Sequence, residues 1–159
     1  MSAMSPFPRP KTLVLPPVPY AVALYGSWWL GENGMAWPLS VAGSFQEPIG
    51  WLAVAAGLAL LLWAVLTLWR FRTTVNPYRA ATHLCVSGPF RFSRNPIYVG
   101  DWLIYLGLML ILHTAWPILF APVVWLIIRH GVIRHEEAHL TARFGAEYVD
   151  YLNKVRRWL

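Results

Sequence analysis

A chain of 159 residues that is 57% hydrophobic and only 13% charged falls well short of the roughly 25% charge of an ordinary soluble domain, so water is not its main solvent. The formal charge of +6 does not make it a nucleic-acid binder: Lys and Arg are absent from 12–69 and from 95–128, so basic and apolar stretches alternate and no basic face forms. A single cysteine, Cys85, excludes an internal disulfide and a cysteine-based zinc cluster.

In chain order, residues 1–17 hold Pro6, Pro8, Pro10, Pro16 and Pro17 and read as an irregular lead-in, too rich in proline for the apolar helix of a secretory signal. Residues 18–30 are apolar but short, and cross a bilayer only if the Pro-flanked entry adds a turn or two. Residues 49–71 are apolar on every face, and as a helix they would rise roughly 34 Å, enough for a bilayer core. A connecting segment, 72–95, carries Arg72, Arg79, Arg91 and Arg94. Asn95 as N-cap and Pro96 at the first helical position open a third helix through Leu112. Thr114 as cap and Pro117 in the first turn open a fourth, apolar to Ile128 and extended in polar form to 144. The few residues between them predict an antiparallel hairpin. Gly145 ends the extension, and in 146–159 Tyr148, Tyr151, Leu152, Val155, Trp158 and Leu159 fall on one helical face flanked by Lys154, Arg156 and Arg157. Such a helix lies at the membrane surface or folds back onto its own protein.

The expectation is therefore an all-α, multi-pass integral membrane domain of about four transmembrane helices with an interfacial amphipathic C-terminal helix. Four spans put all thirteen basic residues on one side, and Gly31 to Pro48 on the other has Glu32 and Glu47 but no Lys or Arg. By the excess of positive charge on cytoplasmic loops, both termini are cytoplasmic, and a bacterial inner membrane is the expected location.

A hairpin turning near residue 114 sets position 94 level with about 135, so Arg91, Arg94, Asn95 and Tyr98 should face His135, Glu136 and Glu137 within about a turn. Charge alone leaves two readings open, a structural ion-pair cluster or a site.

Residues 74–100, TVNPYRAATHLCVSGPFRFSRNPIYVG, and 131–159, GVIRHEEAHLTARFGAEYVDYLNKVRRWL, resemble the isoprenylcysteine carboxyl methyltransferase and phospholipid methyltransferase family. The ordered motifs are Gly-Pro-aromatic-Arg-aromatic, Arg-Asn-Pro-x-Tyr-x-Gly, Glu-Glu-x-x-Leu, Phe-Gly-x-Glu-Tyr and a closing Arg-Trp. The resemblance implies a small membrane enzyme that moves a methyl group from S-adenosyl-L-methionine to a lipophilic small-molecule or prenylated acceptor, with membrane lipids around it and no nucleic acid. The cofactor's sulfonium, ammonium and carboxylate call for acids, aromatic faces and a cationic donor. By motif position, Glu136 and Glu137 would neutralise the amino end, Tyr98 would close on the cofactor, and Gly88 and Gly100 would permit close backbone approach. Asn95 stands where His is commoner and cannot titrate near neutral pH; His83 is a further candidate for the pocket. Arg94 and Glu137 are the expected catalytic pair. Arg91 or Arg94 could pair with an acceptor carboxylate, with the cofactor carboxylate or with a lipid phosphate.

Three other classes compete. His135-Glu136-Glu137-Ala138-His139 satisfies His-Glu-x-x-His, the pattern of a zinc hydrolase, but offers only two histidine ligands where a catalytic zinc takes three protein ligands. Membrane sterol reductases share an Arg-Asn-Pro-x-Tyr type segment but are far larger. A non-catalytic membrane adaptor gives no reason for paired acids opposite an arginine. No metal is expected.

Overall fold

The structure, a computed structural model, describes residues 14–41, 43–73 and 82–159; most of the Pro-rich lead-in and Arg79 lie outside the described residues. It is helical: α1 (Pro17–Glu32), α2 (Gln46–Arg70), α3 (Pro96–Ile111), α4 (Trp116–Ile128), α5 (Arg134–Phe144) and α6 (Ala146–Lys154). A π-helical turn, Arg129–Ile133, welds α4 and α5 into one rod, Trp116–Phe144, of 29 residues. This rod and Gly43–Arg70, 28 residues, are the two helices long and apolar enough to cross a membrane among the described residues; α3 is apolar but shorter. Along α2 the apolar side chains turn outward, Leu52 70% and Trp69 76% exposed, an arrangement that suits lipid and not water.

The α2–α3 pair is the most extensive contact in the fold, and glycine makes it possible. Gly57 faces Gly100 and Gly50 faces Gly107, so the helices run antiparallel with two backbone-to-backbone crossings seven residues apart. A Cβ on Gly57 would stand 2.7 Å from the Gly100 carbonyl oxygen, and one on Gly107 would stand 2.6 Å from that of Gly50. Helices in lipid gain from such close approach because dispersion contacts and not the hydrophobic effect hold them together.

This packing changes the expected hairpin. α3 lies chiefly on α2, while α4 lies chiefly on α1, and α3 and α4 touch little along their lengths. The physical reason is that α3 presents its glycine row to α2, whereas the start of α4 carries Trp116, Pro117 and Phe120. What joins α3 to α4 is local: His113 turns the chain at φ 51°, and the Tyr105 hydroxyl donates to the Pro117 carbonyl at 2.8 Å.

Neither expected cap acts as one. Thr114 precedes the true N-cap, Ala115, and is buried, and Asn95 sits at the N-cap of α3 without a capping hydrogen bond. The end of the molecule away from α5 is fastened by a buried amide. Gln46 donates through Nε2 to the carbonyls of Leu39 (2.8 Å) and Leu110 (3.0 Å) and lies 3.0 Å from His113 Nδ1. Its Oε1 accepts from Val41 N–H at 3.1 Å.

The amphipathic helix expected over 146–159 is shorter. It ends at Lys154, and Val155 is extended (φ −124°, ψ 132°). Tyr148 and Tyr151 are buried, so α6 folds back onto the protein.

Candidate functional site

Three pieces of chain converge where α5 emerges: the 3-10 turn Gly88–Arg91 with the start of α3, the first turn of α5, and the strap 155–159. Gly88 needs its missing side chain twice over. Its φ of +60° suits glycine, and a Cβ there would stand 2.7 Å from Thr67 Oγ1 of α2, so the turn is pressed against that helix. On its other side the Tyr151 hydroxyl donates to the Phe90 carbonyl at 2.7 Å.

Placed this way, Tyr98 donates its hydroxyl to both carboxylate oxygens of Glu136, at 3.0 and 3.1 Å. No cationic side chain pairs with Glu136 among the described residues. Arg94 reaches Glu137 from the mouth of α3, Nη1 to Oε1 at 3.3 Å. Arg157 approaches the same carboxylate from the strap with both arms of its fork, Nε to Oε1 at 2.9 Å and Nη2 to Oε2 at 2.7 Å. The bidentate pair is the stronger geometry, and the hydrogen bond to Glu137 raises the Arg157 pKa further still. The Arg94 Nε–H is buried and has no hydrogen-bond partner. Tyr148, almost fully buried, sits beside this group; burial and the charge of Glu137 push its hydroxyl up to about 12, against the opposing pull of Arg94.

The strap is held by its own backbone. The Arg94 N–H donates to the Arg156 carbonyl at 2.9 Å, and the Arg157 carbonyl accepts from Ser93 Oγ at 3.2 Å and from Asn95 Nδ2 at 3.0 Å. The side chain of Asn95, which the motif position sets among the cofactor-binding candidates, anchors the strap. Trp158 packs against the buried cluster around Tyr98, Ile128 and Val132.

The structure therefore gathers Arg94, Asn95, Tyr98, Glu136 and Glu137. Others stand apart. Gly100 spends its close approach on Gly57, and Gly88 on Thr67. Arg91 and His83 are exposed, and neither has a hydrogen bond or ion pair to the two acids among the described residues. The His83 N–H donates to Thr73 Oγ1 at 3.5 Å. His135 and His139 gain no third ligand: among the described residues no group of three or more His, Cys, Asp or Glu side chains could hold a metal ion. Arg157 is the residue that sequence reasoning passed over. Its signal in the sequence is the closing Arg-Trp motif.

The family model described as phospholipid methyltransferase matches residues 45–147, from the start of α2 into α6. Protein-S-isoprenylcysteine O-methyltransferase of Mus musculus is 31% identical over 141 residues, 86% of this chain and 49% of that protein. The protein of the same name in Saccharomyces cerevisiae is 33% identical over 87 residues, 54% of this chain and 36% of that one. An uncharacterized protein of Haemophilus influenzae is 43% identical over 63 residues, 35% of this chain and 98% of its own length. The chain spans about half the length of the mouse protein it matches. No solved structure matches it significantly.

Proposed function

This chain belongs to the phospholipid methyltransferase family, and from that premise we propose that it is a membrane methyltransferase using S-adenosyl-L-methionine to methylate a lipophilic acceptor. The observation that carries the reading is that two groups where α3 meets α5 lack full partners among the described residues: Glu136, whose carboxylate accepts from the Tyr98 hydroxyl and has no cationic partner, and Arg94, whose buried Nε–H has no hydrogen-bond partner. An uncompensated buried donor and a carboxylate without a cation are costly unless a ligand completes them. A group bearing one ammonium and one carboxylate, the amino-acid end of the methyl donor, complements both, so the residues present fit that cofactor.

When bound, S-adenosyl-L-methionine supplies an electrophilic methyl on a sulfonium. The residues of this chain bind and align. Glu136, held by Tyr98, takes the ammonium; Glu137 holds the two arginines in place; Arg94 takes a carboxylate. Methyl transfer is an in-line displacement, so holding donor and acceptor in register on rigid helices supplies much of the rate. Arg94 and Glu137 are the pair on which turnover depends. Asn95 supports the site through the strap, and Gly88 and Gly100 support it at one remove by letting the 3-10 turn and α3 seat closely on α2.

For the acceptor, we favour carboxyl O-methylation of an isoprenylcysteine-like or other lipid-soluble acid, the chemistry named for the mouse and yeast relatives. A carboxylate is already ionised at neutral pH and needs no base, which suits a site where Asn95 stands in place of a titrating histidine. Arg91, exposed beside the mouth, is available to such an acid. In this reading α1 and α3 also cross the bilayer, giving four spans, with both chain ends and the site on the cytoplasmic side. The test uses protein in lipid nanodiscs, labelled methyl donor and a prenylated cysteine acid. Base-labile methyl ester should form, and should disappear in Glu137→Ala and Arg94→Ala; full activity in both variants would overturn the assignment.

A further inference from the structure

Two arginines and one glutamate cannot all be partners of the ligand, and the geometry divides them. Glu137 gives both oxygens to Arg157, at 2.9 and 2.7 Å, and only one longer contact, 3.3 Å, to Arg94. Arg157 itself is fixed from behind, because its carbonyl is held by Ser93 and Asn95 and the neighbouring carbonyl by the Arg94 N–H. The clasp is reciprocal: the backbone of the strap holds the mouth of α3, and the strap's side chain holds the acid of α5.

From this we infer that Arg157 is a positioning residue that neutralises Glu137 and so leaves the donors of Arg94 for the carboxylate of the bound methyl donor. The inference rests on the methyltransferase reading and assigns the parts within it. Glu136 with Tyr98 recognises the ammonium, Arg94 recognises the carboxylate, and Glu137 belongs to the frame. Without Arg157, the Glu137 carboxylate would be left beside Arg94 as its sole strong partner and would compete with the ligand for the same guanidinium. A bidentate fork is what Arg supplies and Lys does not, so the charge at 157 is insufficient without the fork.

The test is calorimetry on full-length protein in nanodiscs with two probes, S-adenosylhomocysteine and its decarboxylated analogue, which lacks only the carboxylate. Unsubstituted protein should prefer the carboxylate-bearing probe by about tenfold or more, the equivalent of one charge-assisted contact. Arg157→Met should weaken S-adenosylhomocysteine by about tenfold while changing the decarboxylated probe by no more than about twofold, so that the preference collapses. Arg157→Met with Glu137→Gln should recover the preference, because a neutral amide no longer occupies Arg94; a residue that merely braced the fold would not be rescued in this way. Equal weakening of both probes, or a preference that survives Arg157→Met, overturns the inference. Should Arg157→Met fail to give a monodisperse protein, Arg157→Lys is read by the same ratio, with a reduced preference expected. Failure of the unsubstituted protein to bind either probe is a different result: it overturns the methyl-donor reading itself and this assignment with it.

Discussion

Gly57 of α2 and Gly100 of α3 meet backbone to backbone, and a Cβ on Gly100 would lie 2.9 Å from the Gly57 carbonyl oxygen and 3.0 Å from Leu61 Cγ. Because two helix backbones cannot yield as a flexible side chain can, filling this contact should separate the pair that positions the mouth of α3. Gly57→Val and Gly100→Val should each lower stability by about 1–3 kcal/mol, the usual cost of overpacking a close contact. Gly31, with no atom within 4 Å of an added Cβ, provides the control: Gly31→Ala should be neutral or slightly stabilising. Thermal unfolding midpoints in detergent separate the two outcomes.

Tyr98 carries the only hydrogen bonds that Glu136 receives among the described residues. Tyr98→Phe leaves the ring in place and the carboxylate without its donor, a loss of about 1.5–3 kcal/mol for a bond to a charged group. A rise in the methyl-donor KM of roughly tenfold or more should follow, with little change in melting temperature. Steady-state kinetics at saturating acceptor measure it.

Asn95 holds the strap through its amide donor. Asn95→Asp replaces that donor with an acceptor facing the Arg157 carbonyl, so the strap should loosen by about 1–3 kcal/mol. Hydrogen exchange of the backbone amides of 156–158 should speed up relative to the unsubstituted protein, while exchange in α2 stays unchanged.

Tyr148 should govern an alkaline transition. Its hydroxyl is raised from the ordinary 10 to about 12. A group whose folded pKa exceeds its unfolded one stabilises the fold at pH below the unfolded value and loses that contribution as pH climbs through the folded value. Stability should therefore fall between about pH 10 and 12, and Tyr148→Phe should flatten that fall. Tyrosinate absorbance followed alongside helicity during an alkaline titration checks the sign.

Much of this could be read from the residues because distance along a membrane-crossing helix is distance in depth. Residues 49–71 are apolar on all faces, and α2 occupies nearly that stretch. Counting back from a turn near 114 brings Arg94 within about a turn of Glu137, whereas Tyr98 reaches Glu136 from about a turn and a half off the level that the count gives. The partner of α3 was not legible. Gly50, Gly57, Gly100 and Gly107 lie in apolar runs where hydropathy is blind to shape, and only their matched spacing of seven residues hinted at a contact surface. The strap was hidden for a different reason. Helical spacing of apolar residues continues past Lys154, but the backbone is pulled extended at Val155 by long-range bonds to Arg94, Ser93 and Asn95, which local periodicity does not encode. The role of the Asn95 amide follows from the same bonds.

In this reading the acid–phenol–guanidinium mouth between α3 and α5 receives the amino-acid end of a methyl donor. Isothermal titration of S-adenosylhomocysteine into the purified protein tests it without knowledge of the acceptor. Saturable binding at one site per chain is expected, lost in Glu136→Gln while that variant keeps its helicity and melting temperature. Absence of binding in the unsubstituted protein, or undiminished binding in a folded Glu136→Gln variant, would contradict it.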